Sequence, residues 1–243
     1  MTITTAHDRG ITTLTLDAPD TRNALSAGLV AELTDALSGC AGDPAVRAVV
    51  LTHTGSTFSA GADLKAPPSP YAFVALLRQV LELPKPVVAK VDGHVRAGGI
   101  GLVAACDIVV ASPASDFALT EARLGVAPAI ISLTVLPRMD PRAAARYYLT
   151  GERFDAAEAA RTGLVTLTAD DPDKAVPPLL DALRKGSPQG LAESKRLVAA
   201  RVLETFERDA EELVRRSATL FASAEAREGM TAFLERRDPV WAI

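Results

Sequence analysis

The chain has 243 residues, with 26 Lys and Arg against 30 Asp and Glu, for a formal net charge of −4 at pH 7. Apolar residues make up 48% and aromatic residues 5%, which is typical of a globular α/β domain rather than a disordered or fibrous chain. The acidic balance disfavours a nucleic-acid partner, because phosphate backbones are bound by basic surfaces.

Two further features of the sequence bear on location. The segment that begins the sequence has neither a basic nor an apolar stretch typical of a signal peptide, and no apolar run is long enough to span a membrane. Cys40 and Cys106 are too few and too far apart for a disulfide framework or a metal site, so we expect inert, buried thiols. The sequence therefore predicts a cytosolic (cytoplasmic) protein with no membrane partner and no bound metal.

The first half of the chain alternates strand and helix patterns. A helix is predicted after Ser26, where Leu29, Leu33 and Leu37 recur every fourth residue, and a second helix over 71–83. Such alternation predicts an α/β core with active-site groups on the loops that leave the strands. The predicted strands cover residues 11–16, 46–52, 87–91, 107–111, 117–119 and 165–167.

From Pro141 onward the chain is dominated by helix formers. Residues 188–236 contain long amphipathic runs whose apolar faces are larger than a free appendage can hide. We therefore expect this region to pack against another subunit. A helix lying on a membrane surface is the alternative, but charges of both signs occur across the faces.

Two glycine-rich loops, 58–64 and 97–99, each turn from a strand toward a helix. Backbone amides at a helix N-terminus can hold a developing oxyanion, and small residues let a ligand approach them. The alternative is that these glycines only satisfy turn geometry. Residues 99–104 also match a dinucleotide-binding pattern formally, but seven residues separate Gly99 from the strand that ends at Val91, which argues against that site.

Six segments occur in an order typical of one enzyme family, and through them the chain resembles the enoyl-CoA hydratase/isomerase (crotonase) superfamily. The resemblance implies an α/β, ClpP-like β-spiral core of repeated ββα units over residues 1–188, and a helical trimerisation region over 189–243. A homotrimer or a dimer of trimers is implied. The segments are RNALS (22–26), FSAGADLK (58–65), KPVVAKVDGHVRAGGIGLVAACDIVVAS (85–112), FALTEARLGVAP (117–128), LTGERFDAAEAARTGLV (149–165) and SPQGLAESKRL (187–197).

The resemblance also assigns site residues. The amides of Ala62 and Gly98 form the oxyanion hole for the carbonyl of a CoA thioester, and Glu121 is the acid/base; CoA is part of the substrate and no cofactor is implied. Lys65 is a candidate partner for the nucleotide end of CoA, although Lys65 and Arg22 also fit ordinary solvated cations. The implied substrate- and CoA-binding residues are Arg22, Ala24, Leu25, Ala60, Gly61, Asp63, Leu64, Lys65 and Gly99.

The sequence departs from the family pattern at Gly101, where hydratases typically carry a first glutamate. A single carboxylate suits a proton shuttle between two carbons, as in the isomerases, but it also suits activation of water. The chain looks closest to hydratases of the methylglutaconyl-CoA type, which also appear without that glutamate, so we favour an enoyl-CoA hydratase, a hydro-lyase, narrowly over an isomerase. A non-catalytic homologue that binds acyl-CoA or RNA is the alternative outside the enzyme class.

Other polar residues near the second glycine loop allow further hypotheses. Arg96 or His94 could face the acyl pocket, and Arg96 could grip a second carboxylate on the substrate; solvent- or CoA-facing positions are the alternative. Ser59, His94 and Asp63 form a triad only on paper, because no G-x-S-x-G elbow is present. We expect Asp107 to be a structural carboxylate that caps backbone amides. For Glu121 the alternative is a surface carboxylate paired with Arg123 or Arg142.

Overall fold

The computed structural model describes residues 2–243, so Met1, the first residue of the predicted core region, lies outside the described residues. Most strands lie in the first half of the chain, and the last strand ends at Thr168. They are β1 (Ile3–Asp8), β2 (Ile11–Leu16), β3 (Ala48–His53), β4 (Thr57–Ser59), β5 (Val87–Val91), β6 (His94–Arg96), β7 (Ile108–Ala111), β8 (Asp116–Ala118), β9 (Phe154–Asp155) and β10 (Leu167–Thr168).

Helices alternate with these strands and then take over. Two short 3-10 helices cover Pro19–Thr21 and Glu121–Leu124. The α-helices are α1 (Ala27–Gly42), α2 (Pro70–Glu82), α3 (Gly98–Ala105), α4 (Ser132–Val135), α5 (Pro141–Thr150), α6 (Ala156–Arg161), α7 (Pro172–Lys185), α8 (Pro188–Phe221) and α9 (Ala224–Glu235).

The strands form two sheets. The larger has the order β1-β2-β3-β5-β7-β10 and is parallel except for the β1-β2 hairpin. Its central strands are almost continuous apolar runs, as expected where helices cover both faces. The smaller sheet has the order β4-β6-β8-β9, in which β4, β6 and β8 are parallel and only β9 runs the other way.

The predicted elements are present, with local shifts that have physical causes. The third strand begins at Ala48 rather than at 46, because the amide of Val46 closes a turn on the carbonyl of Asp43. The last strand begins at Leu167 rather than at 165, because the amide of Val165 binds the carbonyl of Ala159 at the end of α6. The sequence missed four strands. One is β1, an edge strand that buries only its first residue and so lacks an alternating pattern; the others are β4, β6 and β9 of the smaller sheet, which have only two or three residues each.

The C-terminal region is helical, as predicted, and the first part of its long helix α8 belongs to the core. Its residues Ala199, Val202 and Phe206 are buried in the main apolar cluster. The buried Lys195 donates from Nζ to the carbonyls of Val80 (2.7 Å) and Lys85 (3.0 Å), and it pairs with Asp107 at 2.8 Å. These contacts tie α8 to the last part of α2 and to the residues that closely precede β5 and β7. The role of residues 189–243 in trimerisation stays a prediction.

Candidate active site

The three predicted catalytic residues follow three neighbouring parallel strands of the smaller sheet. Ala62 comes shortly after β4, Gly98 after β6 and Glu121 after β8. The carboxyl ends of adjacent parallel strands lie at one edge of a sheet, which is where α/β folds bind ligands. The amide of Ala97 also donates to the carbonyl of Ala118 at 3.2 Å, which extends the pairing of β6 with β8 up to the candidate site.

A short parallel ladder fixes the first glycine loop and orients the Ala62 amide. Leu25 donates its amide to the carbonyl of Gly61 (2.8 Å) and accepts at its own carbonyl from the amide of Asp63 (3.1 Å). In such a ladder the intervening residue directs its N–H to the opposite side. The Ala62 amide therefore faces away from Leu25, and Ala62 itself is exposed.

Close contact between the two glycine loops places the second amide beside the first loop. Gly61 has φ +89°, and a Cβ there would lie 2.9 Å from the Cβ of Ala97 and 3.6 Å from the amide nitrogen of Gly98. Gly98 is the first residue of α3, so its N–H has no acceptor within the helix. Glycine at 61 is thus required both by its backbone conformation and by the approach of the loops.

The remaining residues of the predicted CoA cradle lie around this ladder, and their binding role stays a prediction. Arg22 is exposed in the left-handed conformation (φ 56°), and its carbonyl accepts from the amide of Ala60 at 3.0 Å. Asp63 uses Oδ1 to accept from the amide of Lys65 at 2.8 Å, so it shapes the loop and leaves the Lys65 side chain exposed. Ala24 is half-buried, Leu64 is exposed, and Gly99 packs against Ser59.

Asn23 is a structural residue of this segment that the sequence missed. Its side chain is fully buried, accepts from the amide of Ala18 (2.8 Å), and donates from Nδ2 to the carbonyls of Thr54 (3.0 Å) and Thr57 (2.7 Å). It therefore joins the RNALS segment to the start of β4. Its backbone is left-handed (φ 51°), a conformation that Asn tolerates better than most residues. The residue type itself was therefore the only signal in the sequence.

Glu121 begins the 3-10 helix Glu121–Leu124 and is buried, with 8% of its surface exposed. Its Oε2 atom is buried and accepts no hydrogen bond from the described residues. Burial raises the pKa of Glu121 to about 7, and only its own backbone amide opposes this rise. The alternative of a surface carboxylate paired with Arg123 or Arg142 is therefore wrong. A carboxyl that titrates near neutral pH is suited to general acid/base catalysis.

The C-terminal helix α9 holds the turn that carries Glu121. A Cβ on Gly229 would lie 2.5 Å from the carbonyl carbon and oxygen of Leu124, and one on Gly125 would lie 2.6 Å from the same atoms of Glu225. The two backbones are thus in direct contact. This contact fixes the 3-10 helix against α9.

Gly101, which takes the position of the first family glutamate, faces an apolar side chain. A Cβ at Gly101 would lie 2.3 Å from Cγ2 and 2.8 Å from Cβ of Ile131. The Gly101 carbonyl accepts from the hydroxyl of Thr134 at 2.9 Å. Ile131 therefore fills the space that a carboxylate at position 101 would need. The residues around Gly101 thus fit a glycine and leave no room for a glutamate.

Tyr148 on α5 and Ser132 on α4 are in contact, and sequence reasoning did not select either of them. The Tyr148 hydroxyl lies 3.3 Å from Ser132 Oγ. Burial raises the pKa of Tyr148, and the charge of Glu121 adds to the rise. Both hydroxyl residues line a groove of about 650 Å³ beside α8.

The side chains of Arg96 and His94 both contact the carboxylate of Asp116. Arg96 binds Asp116 Oδ1 at 2.8 Å, and Nη1 donates to the carbonyls of Val95 and Asp116. His94 Nδ1 lies 2.6 Å from the same carboxylate oxygen. Burial would raise the pKa of Asp116, but hydrogen bonds from Arg96 and His94 outweigh it and lower the pKa. The Arg96 fork is therefore already occupied within the chain, which argues against a role in gripping a substrate carboxylate.

The structure does not assemble Ser59, His94 and Asp63 into a catalytic triad. Ser59 Oγ is buried and accepts from the amide of Gly61 at 3.2 Å, His94 is paired with Asp116, and Asp63 caps its own loop. As expected from the sequence, residues 99–104 also do not form a dinucleotide-binding loop, since Gly99 and Gly101 lie within α3 and pack against side chains.

The structural expectations for Asp107 and the cysteines are confirmed. Asp107 Oδ2 accepts from the amide of Val87 at 2.7 Å, and burial raises the pKa of the Cys106 thiol to about 12. Cys40 is buried as well. Within residues 2–243, no group of three or more His, Cys, Asp or Glu side chains is arranged to hold a metal, and no helix is long and apolar enough to cross a membrane.

Comparisons with known proteins agree with this geometry. The family model described as Enoyl-CoA hydratase/isomerase matches residues 6–242. An enoyl-CoA hydratase from Mycobacterium avium superposes with a TM-score of 0.94 at 55% identity, covering 99% of each chain. An enoyl-CoA hydratase/isomerase from Pseudoalteromonas atlantica T6c superposes with a TM-score of 0.89 at 30% identity, covering 100% of each chain.

A carnitinyl-CoA dehydratase from Citrobacter koseri is 36% identical, and the match covers 94% of this chain and 93% of that protein. The fold and the strand-edge site thus define a protein of the crotonase superfamily. The chain belongs to the enoyl-CoA hydratase/isomerase family, and its predicted α/β crotonase fold is confirmed.

Proposed function

We propose that this chain is an enoyl-CoA hydratase that adds water to, or removes it from, the 2,3 double bond of an enoyl-CoA thioester. One observation carries the proposal: Glu121, a buried carboxyl with one oxygen that has no hydrogen-bond partner within residues 2–243, lies at the same sheet edge as the Ala62 and Gly98 amides. In this proposal the amides bind the thioester oxygen. Preorganised donors of this kind act where charge develops in the transition state.

The reaction follows from these groups. As the water oxygen bonds to Cβ, one water proton passes to Glu121 and the double-bond electrons move toward the thioester oxygen, which the Ala62 and Gly98 amides stabilise. Glu121 then returns its proton to Cα and the carbonyl re-forms. The carboxylate is regenerated, so one residue serves first as base and then as acid. Its pKa of about 7 suits both roles.

An isomerase is the second candidate, and Gly101 favours it. With Ile131 filling the space next to Gly101, Glu121 is left without a second carboxylate from α3. The same oxyanion hole and a single shuttling carboxylate would move a proton from Cα to Cγ of a 3-enoyl-CoA. A non-catalytic acyl-CoA-binding or RNA-binding homologue remains the alternative outside the enzyme class.

The test compares three substrates, crotonyl-CoA, 3-methylglutaconyl-CoA and a 3-enoyl-CoA, with the wild type and Glu121→Gln. Absorbance of the conjugated thioester and product mass are followed together. Gain of the mass of one water, lost in the variant, supports hydration. Conversion of only the 3-enoyl substrate at constant mass replaces hydration with isomerisation. Activity unchanged in Glu121→Gln would contradict the role of Glu121 in both reactions, whereas no turnover of any of the three substrates by the wild type would favour the non-catalytic alternative.

We further propose that α8 and α9 mediate assembly into a homotrimer or a dimer of trimers. Leu197 and Val198 on α8, and Phe233 and Leu234 on α9, are exposed large apolar residues. Such surface is costly to leave in water, which supports a subunit contact. Light scattering with size-exclusion chromatography measures the mass directly, and a monomer at micromolar concentration would contradict this proposal.

A further inference from the structure

The ring of Phe73 lies beside the second of the two candidate oxyanion amides. A Cβ at Gly98 would lie 3.5 Å from Cζ and 3.6 Å from Cε1 of Phe73, and 3.0 Å from Cδ1 of Leu25. Cζ and Cε1 belong to the outer edge of the ring, so the tip of the ring borders the residue whose N–H is proposed to bind the thioester oxygen. Helix α2 thus brings an aromatic side chain to the candidate site, although α2 carries none of the predicted site residues.

Phe73 differs in exposure from the other buried residues of α2. Leu76, Leu77 and Val80 are 0% exposed and Leu81 is 1% exposed, whereas 7% of Phe73 stays exposed. Leu25, the other side chain beside Gly98, is 1% exposed. Among these side chains, the ring of Phe73 is therefore the one that still reaches accessible space, and its tip borders Gly98, which is itself only half-buried.

Contacts at the start of α2 hold the ring in place. Ser69 caps the helix by accepting at Oγ from the amide of Ala72 (3.0 Å), and its carbonyl accepts from the amide of Phe73 (3.1 Å). On the outer face of the same turn, the hydroxyl of Tyr71 donates to Glu211 of α8 at 3.1 Å. Phe73 thus belongs to a capped helical turn that is anchored to a second helix, which suits a pocket wall of fixed position.

The geometry of a bound thioester brings the acyl chain close to this ring. A carbonyl oxygen that accepts from the Gly98 amide lies about 3 Å from the amide nitrogen. The first acyl carbons follow that oxygen within a few bond lengths, so a side chain that borders Gly98 is within reach of them. An aromatic ring is a favourable wall for an apolar chain, and the close packing behind Phe73 leaves the ring little room to retreat from a longer one.

We propose that Phe73 determines substrate specificity: its ring closes the acyl pocket beside Gly98 and restricts the enzyme to 2-enoyl-CoA thioesters with short acyl chains. This role rests on the proposed hydration and names the substrate class for it. The ring neither gives nor takes a proton. It therefore selects the chain that binds productively and leaves the addition of water to Glu121 and the two amides.

The test compares kcat/KM for crotonyl-CoA and for 2-octenoyl-CoA in the wild type, Phe73→Ala and Phe73→Leu. Since one methylene group too many in an apolar pocket costs about tenfold or more, the wild type should use crotonyl-CoA at least about tenfold better. Phe73→Ala removes the wall, so the ratio of the octenoyl to the crotonyl value should rise about tenfold to a hundredfold. Phe73→Leu keeps an apolar side chain and shortens its tip, so we expect a smaller rise of about threefold to tenfold. Circular dichroism checks the fold of each variant.

The matched control is Val80→Ala, on the same helix. Val80 is 0% exposed and lies about two turns further along α2, away from the tip of the ring. This variant opens space in the core only, so the ratio of the two kcat/KM values should stay at that of the wild type even where stability falls. An equal rise in the control would assign the effect to a loosened α2 and overturn the role of Phe73.

The remaining outcomes separate this role from the proposed function. A wild type that hydrates crotonyl-CoA, with the same ratio in both Phe73 variants, would overturn the role and leave the function standing. A wild type that hydrates 2-octenoyl-CoA as well as crotonyl-CoA would do the same. No hydration of either substrate by the wild type would remove the function, and the role with it. If Phe73→Ala does not fold, Phe73→Leu decides: a higher ratio supports the role, and the wild-type ratio overturns it.

Discussion

The two sides of the candidate site are built by different means. The oxyanion side consists of backbone amides, which the pairing of Leu25 with residues 61–63 and the contact between Gly61 and Ala97 hold in place. The proton side is one ionisable side chain, Glu121, whose pKa depends on burial. The first side is sensitive to any atom added to its glycines, and the second to the chemistry of one residue. A motif of small residues therefore marks the first side clearly, whereas the second depends on contacts from distant segments.

The proton side should give the largest effect on turnover. Glu121→Gln keeps the shape of the side chain and removes its ability to carry a proton, so we expect kcat to fall by about a hundredfold to ten-thousandfold. KM should change little, because the oxyanion side is untouched. Steady-state kinetics with crotonyl-CoA provide the measurement. The control is Glu152→Gln, a half-buried carboxyl paired with Arg146, which should retain activity. A Glu121→Gln enzyme with wild-type kcat would contradict the role of the carboxylate.

Breaking the oxyanion side needs only one methyl group. In Gly61→Ala the new Cβ would lie 2.9 Å from the Cβ of Ala97 on a backbone with φ +89°, so the loop must move and displace the Ala62 amide. Loss of one such donor is expected to lower kcat about a hundredfold to a thousandfold. Gly39→Ala is the matched control, since a Cβ at Gly39 has no neighbour within 4 Å. Equal kcat in the two alanine variants would mean that the loop contact is not needed for turnover.

The raised pKa of Glu121 predicts how stability depends on pH. The carboxyl ionises at about 4.5 in the unfolded chain and about 7 in the folded one, so between these values the folded state binds more protons. Stability should therefore fall as pH rises through this window, by about 2 to 3 kcal/mol between pH 5 and pH 8, and then level off. Urea unfolding of the wild type and Glu121→Gln at several pH values measures the difference. An equal dependence on pH in both proteins would contradict the raised pKa.

Activity should show the same titration from the other direction. The proposed hydration needs an ionised Glu121 to accept the water proton, so kcat/KM should rise with pH through about 7. Stability and activity thus change in opposite senses over one range, because one buried carboxylate is costly to ionise and necessary for turnover. A pH–rate profile of kcat/KM with crotonyl-CoA tests this expectation. A flat profile from pH 5 to pH 8 would place the working group elsewhere.

The sequence predicted the order of the longer strands and helices, and the glycine-rich loops that follow two of the strands, because those properties are local. Apolar runs mark β3 and β5, and glycine pairs mark the loops. What it missed depends on long-range contacts: the Lys195–Asp107 pair joins residues far apart in the chain. Tyr148 likewise follows an ordinary amphipathic pattern on α5, and only the fold brings its hydroxyl to Ser132 on α4. The burial that shifts the pKa of Glu121 also has no local signature.

A substitution at Gly101 should give the smallest effect of these predictions. It should also distinguish most sharply between a site that is adapted to one carboxylate and a site that only lacks a second one. Adding the missing carboxylate with Gly101→Glu forces atoms to within 2.3 Å of Ile131, so we expect a loss of about 1 to 3 kcal/mol in unfolding free energy and no gain in hydration. The double variant Gly101→Glu/Ile131→Gly opens the space and should recover part of the lost stability, since the two residues are in contact and their effects do not add. Urea unfolding and crotonyl-CoA turnover of the wild type, Gly101→Glu, Ile131→Gly and the double variant measure both quantities. Additive losses in the double variant would show that Ile131 is not what excludes the second carboxylate. Faster hydration by the single variant would show that this enzyme lacks only a glutamate, which contradicts the idea that its surroundings are adapted to one carboxylate.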